Sequence, residues 1–260
     1  MTDGGRLAFF LAAALALSLA WARALWYFDE RSPLVRRLLF WALGHLRTSA
    51  GRLKALLLSA LYCALGGLAG ALLALTFGLP FRALFGLEAR QWSLAILGIV
   101  GEISLANLLV SVGTLLPGFS GGARFAEVEE IPWMKGMAEL PRWAVPLLAA
   151  LAAVVEELFF RGVVLGLLLM RFGLAPALAI AISALLFLLG QLIQVRTAFQ
   201  ALVVGSGSVA IGLVGGLLVA ATGSVVLAVV AHASFVVFFL ARGERARNQF
   251  GGPAREVVAR

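Results

Sequence analysis

Charge is scarce in this chain, and cysteine scarcer still. Only 13% of its 260 residues are Asp, Glu, Lys or Arg, against about 25% in an ordinary soluble domain. A water-soluble globule would lack the polar side chains needed to cover its surface. The single cysteine, Cys63, cannot pair within the chain, so a disulfide framework is excluded. It lies in an apolar run and reads as a small buried hydrophobe. The 29 glycines show no fixed period, which excludes a collagen-like chain. What fills the sequence instead is apolar: 62% of it, with a mean hydropathy of +1.01. Disorder is excluded too, because low hydrophobicity is what keeps chains unfolded. The apolar excess must face lipid.

The formal net charge of +8 rests almost wholly on arginine. In a soluble protein such a balance would suggest nucleic acid. Here the basic residues cluster between apolar runs, at Arg31, Arg36, Arg37, Arg47, Arg52 and Lys54 and at the C-terminus. Lipid headgroups and the positive-inside rule place them there. No aromatic–basic interleaving of a nucleic-acid groove is present, so the expected partner is a lipid bilayer and not nucleic acid.

A spanning helix needs about 20 largely apolar residues. Seven stretches qualify: Leu7–Tyr27, Leu53–Phe77, Trp92–Leu116, Trp143–Met170, Leu174–Val195, Ala198–Ala221 and Ser224–Leu240. The fold class expected is all-α, a polytopic membrane helix bundle of about seven transmembrane helices. The division between the fifth and sixth is the least sharply marked, resting on Arg196 and Thr197. The first stretch also has features of a signal peptide, with Arg6 ahead and small residues at Ala20 and Ala22. Asp3 and the strongly basic segment that cleavage would export argue against that reading.

Seven spans put the 28–52 loop and the basic tail on one side, so both are expected to be cytoplasmic with the N-terminus outside. Segment 34–47 reads as a basic amphipathic helix on the inner leaflet, with His45 a solvated interfacial residue. The 117–142 loop is acidic, with Glu127, Glu129, Glu130 and Glu139, and reads as a solvated interfacial segment. Gly66 and Gly70, Gly162 and Gly166, and Gly212 and Gly216 recur at the spacing that lets helix backbones approach, here as internal packing. No repeat of the transporter kind is visible. The chain divides into N-terminal helices with their loops (1–142), a helical core (143–241) and a basic tail (242–260).

Ionisable side chains at membrane depth are costly and each needs a reason. Glu102, Glu156, Glu157 and His232 fall inside apolar runs, joined by Arg161 and Gln191. Glu157 and Arg161 stand four apart with the acid first, the favourable order for an ion pair. Glu156 points about 100° away round the helix and has no basic residue at three or four positions' distance. It must be protonated, hydrated, metal-bound or paired with another helix. His232 is the natural partner, and a carboxylate with a neutral imidazole also suits zinc. Glu102 reads as structural, bonded to Asn107 or a neighbouring helix, or as lining the same cavity.

The string EELFFRG, Glu156-Glu157-x-x-x-Arg161, resembles the first signature of the CPBP intramembrane metalloproteases. That family includes CAAX prenyl proteases and bacteriocin-processing or abortive-infection proteins. SALLFLLGQLIQ resembles its second motif, and GLVGGLLVAATGSVVLAVVAHASFVV its glycine-rich helix, turn and final histidine helix. The likeness covers about residues 143–241. It implies that Glu156 activates a water for attack on a peptide carbonyl, that later helices bind a metal or polarise that carbonyl, and that Glu157 and Arg161 order the site. It therefore assigns catalytic roles to Glu156, Glu157, Arg161 and His232. It also assigns a divalent metal, zinc, to Glu156, His232 and Gln191.

Two positions depart from the pattern. Gln191 stands four residues after Phe187 where the second motif has His, and Val236 stands four after His232 where the third has Asn or Asp. A catalytic zinc has three protein ligands, so beyond Glu156 and His232 a third must come from Gln191, Glu157 or Glu102. The resemblance implies an intramembrane metalloendopeptidase acting on a peptide or membrane protein, in the plasma (inner) membrane. The departures keep open a catalytically inactive relative that serves as a scaffold or partner-binding module. A proton-coupled transporter using the same carboxylates is a third reading.

Overall fold

A computed structural model of the protein describes residues 3–116, 119 and 125–249. The start of the acidic loop, apart from residue 119, and the tail beyond residue 249, with Arg255, Glu256 and Arg260, lie outside the described residues. Among the described residues every regular element is helical. The helices are α1 (Asp3–Glu30), α2 (Pro33–Leu43), α3 (Ala50–Phe77), α4 (Trp92–Thr114), α5 (Phe125–Glu129), α6 (Pro132–Glu139) and α7 (Ala144–Glu157). A π-helical stretch, Leu158–Leu165, continues α7 without a break and leads into α8 (Gly166–Met170). Then follow α9 (Pro176–Leu192), α10 (Ala198–Thr222) and α11 (Val226–Gln249).

Four of these segments are long and apolar enough to cross a membrane: Gly4–Asp29, Ala50–Phe77, Ala89–Thr114 and Ala198–Thr222. Pro176–Leu192 and Val226–Leu240 are apolar but shorter. The fourth sequence-derived span falls on α7, the π-helical stretch and α8, where Glu156, Glu157 and Arg161 interrupt the apolar run. Outward faces carry large apolar side chains well beyond a soluble protein's scatter. Leu75 is 80% exposed on α3, and Ile96 and Leu97 are each 66% exposed on α4. The chain is a multi-pass membrane protein.

Local chemistry sets the breaks. The Ser32 hydroxyl accepts from the Val35 N–H to open α2, and the helix ends at Leu43. The amphipathic segment is thus shorter than 34–47 suggests, and His45 lies beyond it, exposed, with Nδ1 2.8 Å from the Trp41 carbonyl. Between α9 and α10 the chain turns at Thr197. Its hydroxyl accepts from Gln200 N–H while the Gln200 side chain accepts from Thr197 N–H, a reciprocal cap. The acidic loop is tied to that same corner. Thr197 donates to Glu127 at 2.8 Å, and the Gln200 amide donates to the Glu127 carbonyl. Glu130 pairs with Lys135.

The centre of the bundle is α7 and its π-helical continuation, flanked by α3, α9 and α11, with α10 and α4 behind. Close backbone approach makes this possible. A Cβ on Gly212 would lie 2.7 Å from Ala184, and one on Gly216 would lie 2.8 Å from Ile180, so α10 meets α9 with no room for side chains. Phe10, Trp21, Leu73, Phe159, Phe160 and Phe187 fill the core between α1, α3, the π-helical stretch and α9.

Candidate active site inside the helix bundle

The end of α7 delivers two adjacent carboxylates into the bundle. Glu157 and Arg161 are fully buried, while Glu156 keeps 8% of its surface accessible. Residues Phe159 to Leu165 are all buried as well. A π-helical stretch of eight residues exceeds the usual single-turn bulge, and such bulges concentrate at functional sites. Burial of ionised groups at this depth demands partners, and each partner comes from another turn or another helix.

His232, from α11, stands between the two acids. Its Nδ1 is 2.9 Å from Glu157 Oε1, and its Nε2 is 3.6 Å from Glu156 Oε2. A carboxylate only accepts, so Nδ1 carries the proton toward Glu157. In neutral His232 the Nε2 lone pair then faces the Oε2 of Glu156. Two acceptors face each other at that distance only with a proton on one of them or with a water beside the pair that donates to both.

The other oxygen of Glu156 is occupied. Oε1 accepts from the Tyr62 hydroxyl of α3 and from the Gln191 amide of α9, the latter at 3.2 Å. Tyr62 is itself held: its ring lies 4.6 Å from that of Trp21, whose indole N–H donates to the Tyr62 carbonyl. A cavity of about 20 Å³ adjoins Tyr62 and Gln191 and is also lined by Ser18, Trp21 and Gln194. That is room for about one water molecule.

Glu157 is bound differently. Arg161 Nη1 is 3.1 Å from the same Oε1 that meets His232, an ion pair along the helix. The guanidinium also lies over the Phe187 ring, with Cζ 4.5 Å from its centroid. Phe187 meets His232 edge-on at 6.0 Å. The motif phenylalanine thus packs against both the cation and the imidazole. Gly215 of α10 faces this pair: a Cβ there would lie 3.3 Å from Glu157 Oε2 and 3.5 Å from Arg161 Nε.

The structure therefore brings Glu156, Glu157, Arg161, Gln191 and His232 into one cluster. Tyr62 joins it, unforeseen from the motifs. Val236 packs against the apolar core and brings no polar atom. Glu102 is fully buried on α4, within electrostatic reach of Glu157 and Arg161, and neither of its carboxyl oxygens has a hydrogen-bond partner among the described residues. Asn107 does not supply one; its amide donates to the Ile103 carbonyl instead.

The donor set does not fit a zinc ion. His232 commits Nδ1 to Glu157 and retains one nitrogen. Gln191 turns its N–H, not its carbonyl, to Glu156, because that oxygen is an acceptor. Among the described residues no group of three or more His, Cys, Asp or Glu side chains is arranged to hold a metal. A catalytic zinc would lack its third protein ligand.

These features define a class: a multi-pass membrane protein with a buried carboxylate–imidazole cluster enclosed by its helices. Residues 138–238 match the family model for type II CAAX prenyl endopeptidase Rce1-like proteins, a segment that contains Glu156, Glu157, Arg161, Gln191 and His232. Over this segment the chain is similar to the Rce1-like CAAX proteases, the likeness that the motifs imply. No curated protein and no solved structure matches the chain.

Proposed function

We propose that the protein is a membrane-embedded endopeptidase in which Glu156 is the general base. The observation that carries this reading is the polarity of the Glu156 carboxylate. Oε1 is held by two donors, which leaves Oε2 facing His232 Nε2 across 3.6 Å. A water lying beside this pair is within hydrogen-bond reach of both acceptors. Glu156 takes one of its protons as the water oxygen attacks the peptide carbonyl carbon. The C–N bond then breaks, and Glu156 returns the proton to the leaving amine. His232, fixed in one tautomer by Glu157, accepts a hydrogen bond from the water at Nε2 and so helps to orient it. Arg161 keeps Glu157 in place. No step runs through a metal.

Seven membrane crossings, made by the four long helices, the two shorter apolar ones and the segment from α7 to α8, give this site its depth. The basic 28–52 loop and the tail lie on the cytoplasmic side of the plasma membrane. Peptide or membrane-protein segments are the substrate class.

The test is cleavage of a peptide library by the purified protein in proteoliposomes, wild type against Glu156→Gln. Cleavage by wild type and its loss in the variant is the expected result. No cleavage by either under metal-replete conditions favours the second reading, a scaffold that keeps the family fold, which the apolar Val236 at the third-motif position supports. Elemental analysis of wild type and His232→Ala is expected to find no stoichiometric zinc in either. Zinc present in wild type and lost in the variant would overturn the donor-set argument.

A further inference from the structure

The cytoplasmic-side loop begins with an arrangement that the peptidase reading does not use. Near the end of α1, the guanidinium carbons of Arg23 and Arg31 lie 4.5 Å and 4.8 Å from the centroid of one indole, that of Trp26. Two cations stacked on one ring are no further apart than the sum of those distances, within the Debye length of about 10 Å at about 0.1 M salt. Each is attracted by the ring, and the two repel one another. Asp29, the acid with a described side chain on this turn, is taken by Lys54 at 2.5 Å. Neither guanidinium has an acidic partner among the described side chains, and both arginines are exposed.

A groove of about 520 Å³ opens between them, walled by Ala20, Ala24, Trp26, Tyr27 and Phe28. Its apolar wall belongs to the terminal turns of the Gly4–Asp29 segment, and its aromatic residues are of the kind found at the headgroup level. The following α2 carries exposed Leu34, Leu38, Phe40 and Trp41, so the groove lies where the chain passes from lipid core to interface. Charge, shape and depth point to one ligand chemistry, a phosphate with an apolar tail beneath it. Planar guanidinium forks suit phosphate oxygens in pairs.

We propose that Arg23 and Arg31 clamp the phosphate of an anionic phospholipid against Trp26. This site is independent of the peptidase reading and survives its failure. The probe is phosphatidylglycerol, with phosphatidylcholine and inorganic phosphate as the contrasting arms. The full-length protein is loaded with each and analysed by native mass spectrometry after detergent exchange. Wild type is expected to retain one phosphatidylglycerol and no phosphatidylcholine. Affinity is expected to fall tenfold or more in Arg23→Gln/Arg31→Gln and to stay unchanged in Arg36→Gln/Arg37→Gln, which removes the same charge from α2. Equal retention by both double variants, or equal retention of both lipids, overturns the clamp. Displacement of the lipid by millimolar inorganic phosphate overturns the lipid as occupant. If the glutamine variant does not purify folded, Arg23→Lys/Arg31→Lys carries the test. It keeps the charge and loses the planar fork, so a several-fold loss is expected, and unchanged affinity overturns the proposal.

Discussion

Glu156 and Glu157 are neighbours in sequence and opposites in setting. Glu157 has no accessible surface and is bound to two cationic or cation-capable groups, Arg161 and His232. Glu156 is reached by neutral donors on one oxygen and leaves the other toward His232, with part of its surface still open. A buried ion pair holds geometry at the cost of desolvation. A carboxylate held by neutral hydrogen bonds keeps its charge free for a reacting water. On the proposed reading one acid fixes the frame and the other does the chemistry, and substitutions should separate the two.

The largest effect is expected on the Glu157 side. Arg161→Met leaves the Glu157 carboxylate buried beside one imidazole, and loss of one member of a buried pair costs about 3–5 kcal/mol. The melting temperature in detergent should fall sharply, and any activity with it. A variant that melts like wild type would show that the pair is not what holds α7.

Glu156→Gln should do the reverse. The amide keeps an oxygen for Tyr62 and loses the base, so the fold should melt within a few degrees of wild type. Cleavage should fall by about 10²–10⁴-fold, the usual weight of a general base. If stability collapses instead, Glu156 is part of the frame and the contrast between the two acids fails. Tyr62→Phe comes next. It removes one hydrogen bond to a charged group, worth about 1.5–3 kcal/mol. Turnover is expected to drop by about tenfold or more, while KM changes little, because Oε1 is left to Gln191 alone.

Much of this was legible beforehand, for physical reasons. A membrane helix needs a long apolar run, and each of the seven stretches falls on helical structure, four of them on helices long and apolar enough to cross a membrane. The EExxxR spacing placed Glu157 and Arg161 together because four residues keep two side chains on one helical face. Tyr62 was not legible. It lies 94 residues before Glu156, in an apolar run with no motif, and only packing of α3 on α7 brings it there. One signal was available: a phenol at membrane depth seeks a partner, and the chain holds just two tyrosines. The second contact of His232, to Glu157, was hidden for the same reason, since the wheel of one helix cannot say which carboxylate an imidazole on another will reach. The π-helical turn was invisible, because nothing in LFFRGVVL distinguishes it from α-helix.

The smallest effect is expected at Glu102, the third acid of the region, and it sharpens the comparison most finely. Like Glu157 it is fully buried, but neither of its oxygens has a hydrogen-bond partner among the described residues. Removing one partner of a satisfied pair leaves a buried orphan, whereas replacing a group that is already unpartnered removes its own desolvation penalty. Glu102→Met should therefore be neutral or mildly stabilising, within about 1 kcal/mol. Glu157→Met should instead destabilise by about 3–5 kcal/mol, through an orphaned Arg161. Thermal melts of the two methionine variants side by side read the difference directly. Equal losses would make Glu102 a working member of the same charge cluster as Arg161, and the frame would then have four members from three helices rather than one pair and its imidazole.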